Sequence, residues 1–95
     1  MSKEYYRKRI ADKRKDIVGL RADIVELKER KKRRMESLAS SIRNSSSKSA
    51  KESYRKTKIS ESERYMRDIE RKQDKIEDAK KEIESLKRSL ASAPK

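Results

Sequence analysis

Apolar side chains recur along this chain at intervals of three or four residues, and most of the residues between them are charged or serine. Sustained over several heptads, this spacing is typical of long helices that pair along a narrow apolar stripe. No segment shows the period-two alternation of apolar and polar residues that marks a β-strand. The pattern therefore predicts an all-α fold.

The proportion of apolar residues limits what these helices can build. Hydrophobic residues make up 31% of the chain and charged residues 49%, whereas an ordinary globular domain is roughly 45–50% apolar. A chain this polar can fill a seam between two helices but cannot surround itself with a three-dimensional core. With one glycine and one proline, it also contains few residues that interrupt helices.

The two apolar runs are separated by residues 44–48, where Asn44 precedes three serines. Asn44 can adopt the left-handed conformation that ends many helices, and residues 49–52 fit a capping box at the start of a second helix. We predict one domain over residues 1–95, with a helix at 3–43, a turn at 44–48, a helix at 49–92 and a tail at 93–95. In an alternative, residues 44–59 are disordered and the second helix begins at a capping box on Ser60.

The apolar positions of the two runs match in order if the second helix returns antiparallel to the first. For five facing pairs, including Ile10 with Ile83, the residue numbers sum to 93, which puts the bend between Ser46 and Ser47. We therefore predict an antiparallel two-helix coiled-coil hairpin. The residues predicted to form its seam are Ile10, Ile17, Leu20, Ile24, Leu27, Met66, Ile69, Ile76, Ile83 and Leu86.

The seam changes character beyond Leu27. Two successive steps of four residues lead through Lys31 to Met35, and such a stutter locally unwinds a left-handed supercoil. We expect Met35 to lie opposite Ile59. A lysine at a seam position weakens the pairing locally and can favour one register.

A second apolar stripe lies beside the seam of the first helix. Ala11, Val18 and Val25 are spaced by seven residues, and Tyr5 begins near the same face. In the second helix Tyr65, Ala79 and Ala91 also lie off the predicted seam. These residues either widen the hairpin seam or pack against another helical surface. We favour the second interpretation, which predicts a partner interface at Tyr5, Ala11, Val18 and Val25 and a homo-oligomeric helical bundle or a docked protein partner.

Positive charge is concentrated in the middle of the chain. The net charge is +13, and residues 28–58 carry twelve basic and three acidic residues, a net of +9. Such a segment attracts phosphate backbones, acidic proteins or anionic lipid head groups, which makes nucleic acid an alternative partner. The predicted polyanion patch contains Lys28, Arg30, Lys31, Lys32, Arg33, Arg34, Lys56 and Lys58. In the alternative interpretation the charge only solvates the helices.

Several classes of function are not expected. Because the chain has no cysteine and no histidine, it lacks the usual ligands of structural zinc and the usual general base. Its carboxylates lie within a turn of Lys or Arg, as expected for solvated ion pairs on helices. We predict no catalytic, metal-binding or cofactor-binding residue, no small-molecule substrate and no enzymatic activity. Without an apolar signal segment or an apolar run longer than two residues, we expect a cytoplasmic protein with no membrane span.

Three segments of the chain follow the pattern of a known module. Residues 5–13 read Tyr-Tyr-Arg-Lys-Arg-Ile-Ala-Asp-Lys, residues 40–43 lead into the serine-rich bend, and residues 68–76 read Asp-Ile-Glu-Arg-Lys-Gln-Asp-Lys-Ile. The chain thereby resembles, over about residues 5–90, the N-terminal coiled-coil hairpin module of bacterial conflict and defence effector proteins. The resemblance implies self-assembly or docking within a defence or effector complex and supplies no catalytic residue.

The length and topology are also similar to those of small helical-hairpin partners of type VII secretion substrates. The Trp-x-Gly turn of that group is absent, and the strong positive charge differs from it. This similarity implies a partner of a secreted substrate as a further alternative. The sequence as a whole predicts an adaptor-like oligomerisation or docking module, with non-specific polyanion binding as the competing function.

Overall fold

The computed structural model describes residues 2–94, and within that range the chain forms two α-helices and no strand. Helix α1 spans Lys3–Asn44 and helix α2 spans Lys48–Ser92. The helices pack against each other, so the predicted all-α helical hairpin is confirmed. Because α2 is continuous from Lys48, the alternative start at Ser60 is wrong. Neither helix has an apolar stretch of the length needed to cross a membrane, as far as residues 2–94 are concerned.

The connection between the helices differs in detail from the predicted turn. Asn44 is the last residue of α1 and no residue in the described range has a positive φ, so Asn44 does not adopt the left-handed conformation. The backbone N–H of Ser45 still donates to the carbonyl of Ser41 at 3.1 Å. The N-cap of α2 is Ser47 rather than Ser49, because the Ser47 hydroxyl accepts a hydrogen bond from the backbone N–H of Ala50 at 3.3 Å. Ser47 and Ser49 can both cap a helix, and local composition does not select between them.

The hairpin divides into two compact units. The terminal unit contains Met1–Asp23 and Arg71–Lys95. Its two segments run antiparallel and are joined by ion pairs from Lys13 to Glu82 at 2.7 Å and from Lys72 to Asp23 at 3.2 Å. Leu20 and Leu86 are half-buried. The buried side chains of this unit are Ile10, Ile17, Ile76, Ala79 and Ile83.

The prediction that Ala79 lies off the seam is wrong, since only 6% of its surface is exposed to solvent. It follows Ile76 by three residues and precedes Ile83 by four, which is the spacing of consecutive seam positions. A small side chain at such a position lets the helices approach closely, so its burial is consistent with the heptad pattern. Tyr65 is half-buried and Ala91 is exposed.

The turn unit, Ile24–Glu70, buries fewer apolar side chains than the terminal unit. Ile24, Leu38 and Ile69 are buried, whereas Leu27 is half-buried. The predictions that Met66 and Ile59 lie in the seam are wrong, since these residues are 54% and 63% exposed.

The stutter accounts for the smaller number of buried side chains in the turn unit. Two four-residue steps rotate the apolar stripe of α1, so that Leu38 enters the core while Met35 is only half-buried. Lys31 occupies the intervening seam position, and its Nζ lies 3.2 Å from Met66 Sδ. The ammonium group stays close to solvent, and Met66 therefore stays outside the core.

Candidate interaction surfaces

The predicted partner interface is exposed at every position. We call Tyr5, Ala11, Val18 and Val25 the valine stripe. Val18 is 66% exposed and Val25 63%, although Ile17 and Ile24, the residues directly before them, are buried. Helical geometry accounts for the contrast, because consecutive residues are rotated by about 100° around the helix axis.

Two further observations refine this surface. Ala22 is also exposed, and its distance of four residues from Val18 and three from Val25 gives it helical spacing with both. Ala22 was not predicted to belong to this surface, although its spacing is visible in the sequence. Tyr5 has local partners of its own, since Arg9 Nη1 donates to its hydroxyl at 3.0 Å and the Arg9 guanidinium lies 5.8 Å from its ring centroid.

The predicted polyanion patch separates into engaged and free cations. Arg30 pairs with Glu26 at 2.6 Å, and Arg34 forms a bidentate pair with Glu61 at 2.8 and 3.0 Å. Lys31 contacts Met66, as described above. Among residues 2–94, the patch members with neither an ion pair nor a side-chain hydrogen bond are Lys28, Lys32, Arg33, Lys56 and Lys58.

The Arg34–Glu61 pair is the strongest local electrostatic feature of the turn unit. The hydrogen bond from Arg34 lowers the pKa of the Glu61 carboxyl below its ordinary 4.5, and the same bond raises the pKa of Arg34. Both groups therefore stay ionised and neutralise each other at neutral pH. Arg34 is consequently a poor candidate for binding an external anion.

A shallow open groove of about 440 Å³, which was not predicted from the sequence, lies beside the turn. Arg43 from α1 borders it, together with Arg55 and Lys58 from α2. Its remaining lining is apolar and comes from Ala39, Ile42 and Ile59. No carboxylate lines this groove, and none of its three cations has an ion-pair partner among residues 2–94.

The terminal unit contains a contrasting groove of about 520 Å³. Charges of both signs line it, including Lys13 and Glu82, whose ion pair crosses between the helices. The Lys13 hydrogen bond lowers the pKa of Glu82 below its ordinary value. Gly19 also borders the groove, with open space around the position that a Cβ would occupy. The charges are internally compensated, so this groove has little attraction for an ion of either sign.

Residues 2–94 hold no group of three or more acidic, histidine or cysteine side chains arranged to bind a metal ion. No protein-family model, curated protein or solved structure matches this chain.

Proposed function

We propose that this chain is a non-enzymatic protein–protein interaction module that self-associates through the valine stripe of α1. The observation that carries the proposal is the exposure of Val18 and Val25, at 66% and 63%. The solvent-facing positions of a long charged helix are ordinarily polar. Branched apolar side chains at heptad spacing are what a second helix packs against.

The energetics favour association of this hairpin. Burying one valine contributes roughly 1.5 kcal/mol or more, and a two-fold interface buries the same residue on both protomers. The hairpin itself has a small core, in which the turn unit buries only Ile24, Leu38 and Ile69 among its described residues. Association supplies apolar burial that a small two-helix chain lacks on its own.

Electrostatics oppose the same step. A net charge of +13 on each copy produces mutual repulsion, which salt screens. Association through the valine stripe is therefore expected to persist or strengthen when the ionic strength rises. The resemblance to coiled-coil hairpins of bacterial defence proteins supports a role in assembling or docking a defence or effector complex.

The test is the mass of nuclease-treated protein in solution, measured by light scattering at low and high salt. We expect a defined dimer or larger species at both. Val18→Glu with Val25→Glu should give a monomer that retains its helical circular dichroism.

The matched control is Ser37→Glu with Ser85→Glu, which changes two exposed residues and the net charge by the same amount. It should leave the mass unchanged. A wild-type monomer at both salts, or a valine variant that still associates, would contradict the proposal.

A further inference from the structure

The groove beside the turn brings together cations that have no partner in the hairpin. Arg43 lies in the last turn of α1, whereas Arg55 and Lys58 lie on α2. All three border the same open space. The positive charges of these three side chains repel each other, and no carboxylate in the lining offsets them. An anion placed there would relieve the repulsion.

The basic surface continues along α2 towards the turn. Lys48, Lys51, Arg55 and Lys58 are separated by three, four and three residues, so they lie on one face of the helix over about 15 Å. None of them has an ion-pair partner among the described residues. We call these four residues, together with Arg43, the basic face.

The surroundings of the basic face are rich in hydrogen-bond donors. Residues 37–58 contain eight serines, Asn44, Tyr54 and Thr57, together with six basic residues and a single carboxylate, Glu52. Arginine, lysine and small hydroxyl or amide side chains are the groups that proteins use to contact phosphate and sugar. Glu52 forms no ion pair with any of these cations.

We propose that the basic face binds the phosphodiester backbone of a nucleic-acid duplex without reading its bases. A duplex presents about one negative charge per 1.7 Å of axis, so a 15 Å stripe meets several phosphates at once. Over residues 2–94 both helices belong to the hairpin, so neither is a separate recognition helix for base edges. A second copy of the chain is repelled from this surface, because each copy carries a net charge of +13.

The composition of the turn argues against a lipid bilayer as the partner. The three residues that connect the helices are all serine, so no apolar side chain is available there to enter the acyl region. Ile59, which lines the groove and is largely exposed, is the apolar group that a bilayer would require. The effect of replacing Ile59 on binding therefore distinguishes a lipid surface from a phosphodiester backbone as the partner.

The experiment uses two labelled duplexes of about 20 base pairs with unrelated sequences. Nuclease-treated protein is titrated into each duplex, and binding is followed by fluorescence anisotropy. We expect equal affinity for the two sequences and a steep loss of affinity with salt. Arg43→Gln, Arg55→Gln and Lys58→Gln combined should lower the affinity at least about tenfold. The triple variant should also reduce the slope of log K against log salt by about 2 to 3, at roughly 0.9 per phosphate contact.

The matched control is Lys8→Gln, Arg14→Gln and Lys81→Gln combined. It removes the same charge from exposed cations of the terminal unit that also lack ion-pair partners. This control should bind within about threefold of wild type, because only contacts in the bound complex release phosphate counterions. Circular dichroism should show full helicity in both triple variants.

Three results would overturn the proposal. The first is the absence of duplex binding by folded wild-type chain at low salt, and the second is equal weakening by the two triple variants. The third is tighter binding to poly-glutamate, or to vesicles containing phosphatidylserine, than to duplex. Ile59→Gln should leave duplex binding unchanged, and a marked loss would show that apolar contact rather than phosphate contact governs the site.

Discussion

The two units of the hairpin are built from the same kinds of residue but are packed differently. The terminal unit buries Ile10, Ile17, Ile76, Ala79 and Ile83, whereas the turn unit buries Ile24, Leu38 and Ile69. Large apolar side chains exposed in the turn unit are Val25, Tyr54, Ile59 and Met66, and those in the terminal unit are Tyr5 and Val18. The terminal unit thus contributes more of the apolar burial that holds the hairpin together.

Net charge does not explain the difference. The terminal unit carries sixteen basic and nine acidic residues, a net of +7, and the turn unit fourteen and eight, a net of +6. What differs is placement. Lys13 and Lys72 form ion pairs between the helices of the terminal unit, whereas the cations nearest the turn have no such partner. A surface can therefore attract an anion where its cations have no carboxylate partners, whatever the net charge of the unit.

The largest expected effect comes from truncating one isoleucine in each unit. Ile76→Ala in the terminal unit should reduce the free energy of unfolding by about 2–5 kcal/mol, because it removes buried methyl groups and leaves a cavity. Ile59→Ala in the turn unit should change it by less than about 0.5 kcal/mol, because its side chain is largely in water. Urea unfolding followed by circular dichroism measures both. Similar losses would contradict the contrast in packing.

A smaller effect is expected from repairing the seam of the turn unit. Lys31→Leu should raise the free energy of unfolding by about 1 kcal/mol, because a half-buried lysine at a seam position is replaced by an apolar side chain beside Met66. Lys32→Leu, on the exposed face, is the control and should give no gain. If the two substitutions change the free energy of unfolding equally, Lys31 is not the residue that limits apolar burial in the turn unit.

The smallest effect concerns one ion pair in each unit. Hydrogen bonds lower the pKa of Glu61 in the turn unit and of Glu82 in the terminal unit below the ordinary 4.5. Each pair therefore contributes stability above that value and loses it as the pH falls through the lowered pKa. Side-chain carboxyl titration by NMR should show both midpoints below 4.5.

Arg34→Gln should return the pKa of Glu61 towards 4.5 and leave Glu82 unchanged, because each carboxyl is held by its own cation. The control is Arg33→Gln, which removes a neighbouring cation without an ion-pair partner. A Glu61 midpoint that moved as much in this control would mean that the general positive field, and not the Arg34 hydrogen bond, sets its pKa.

Much of the fold could be predicted because heptad spacing is a local property of the chain. Ile10, Ile17 and Ile83 are buried as expected, and the connection lies within the predicted turn. Errors occur where local signals are degenerate. Ser47 and Ser49 are both suitable caps for α2, and a stutter leaves several side chains with comparable access to the seam.

The candidate surfaces were predictable to different degrees. The valine stripe was visible in the sequence, because it lies on one helix at a fixed spacing. The groove beside the turn was not, because Arg43 comes from α1 and Arg55 from α2. Only the packing of the two helices places these residues around a common space and leaves them without carboxylate partners.

The sequence by itself determined two long helices, their antiparallel return and the serine connection, since periodicity and composition act over a few neighbouring residues. The tertiary structure alone decided which charges neutralise each other between the two helices. Arg34 pairs with Glu61 across 27 positions of the chain, whereas Arg55 and Lys58 remain free beside Arg43. Ion pairing depends on distances of a few ångströms between helices, and these distances are set by the register and rotation of the packed pair.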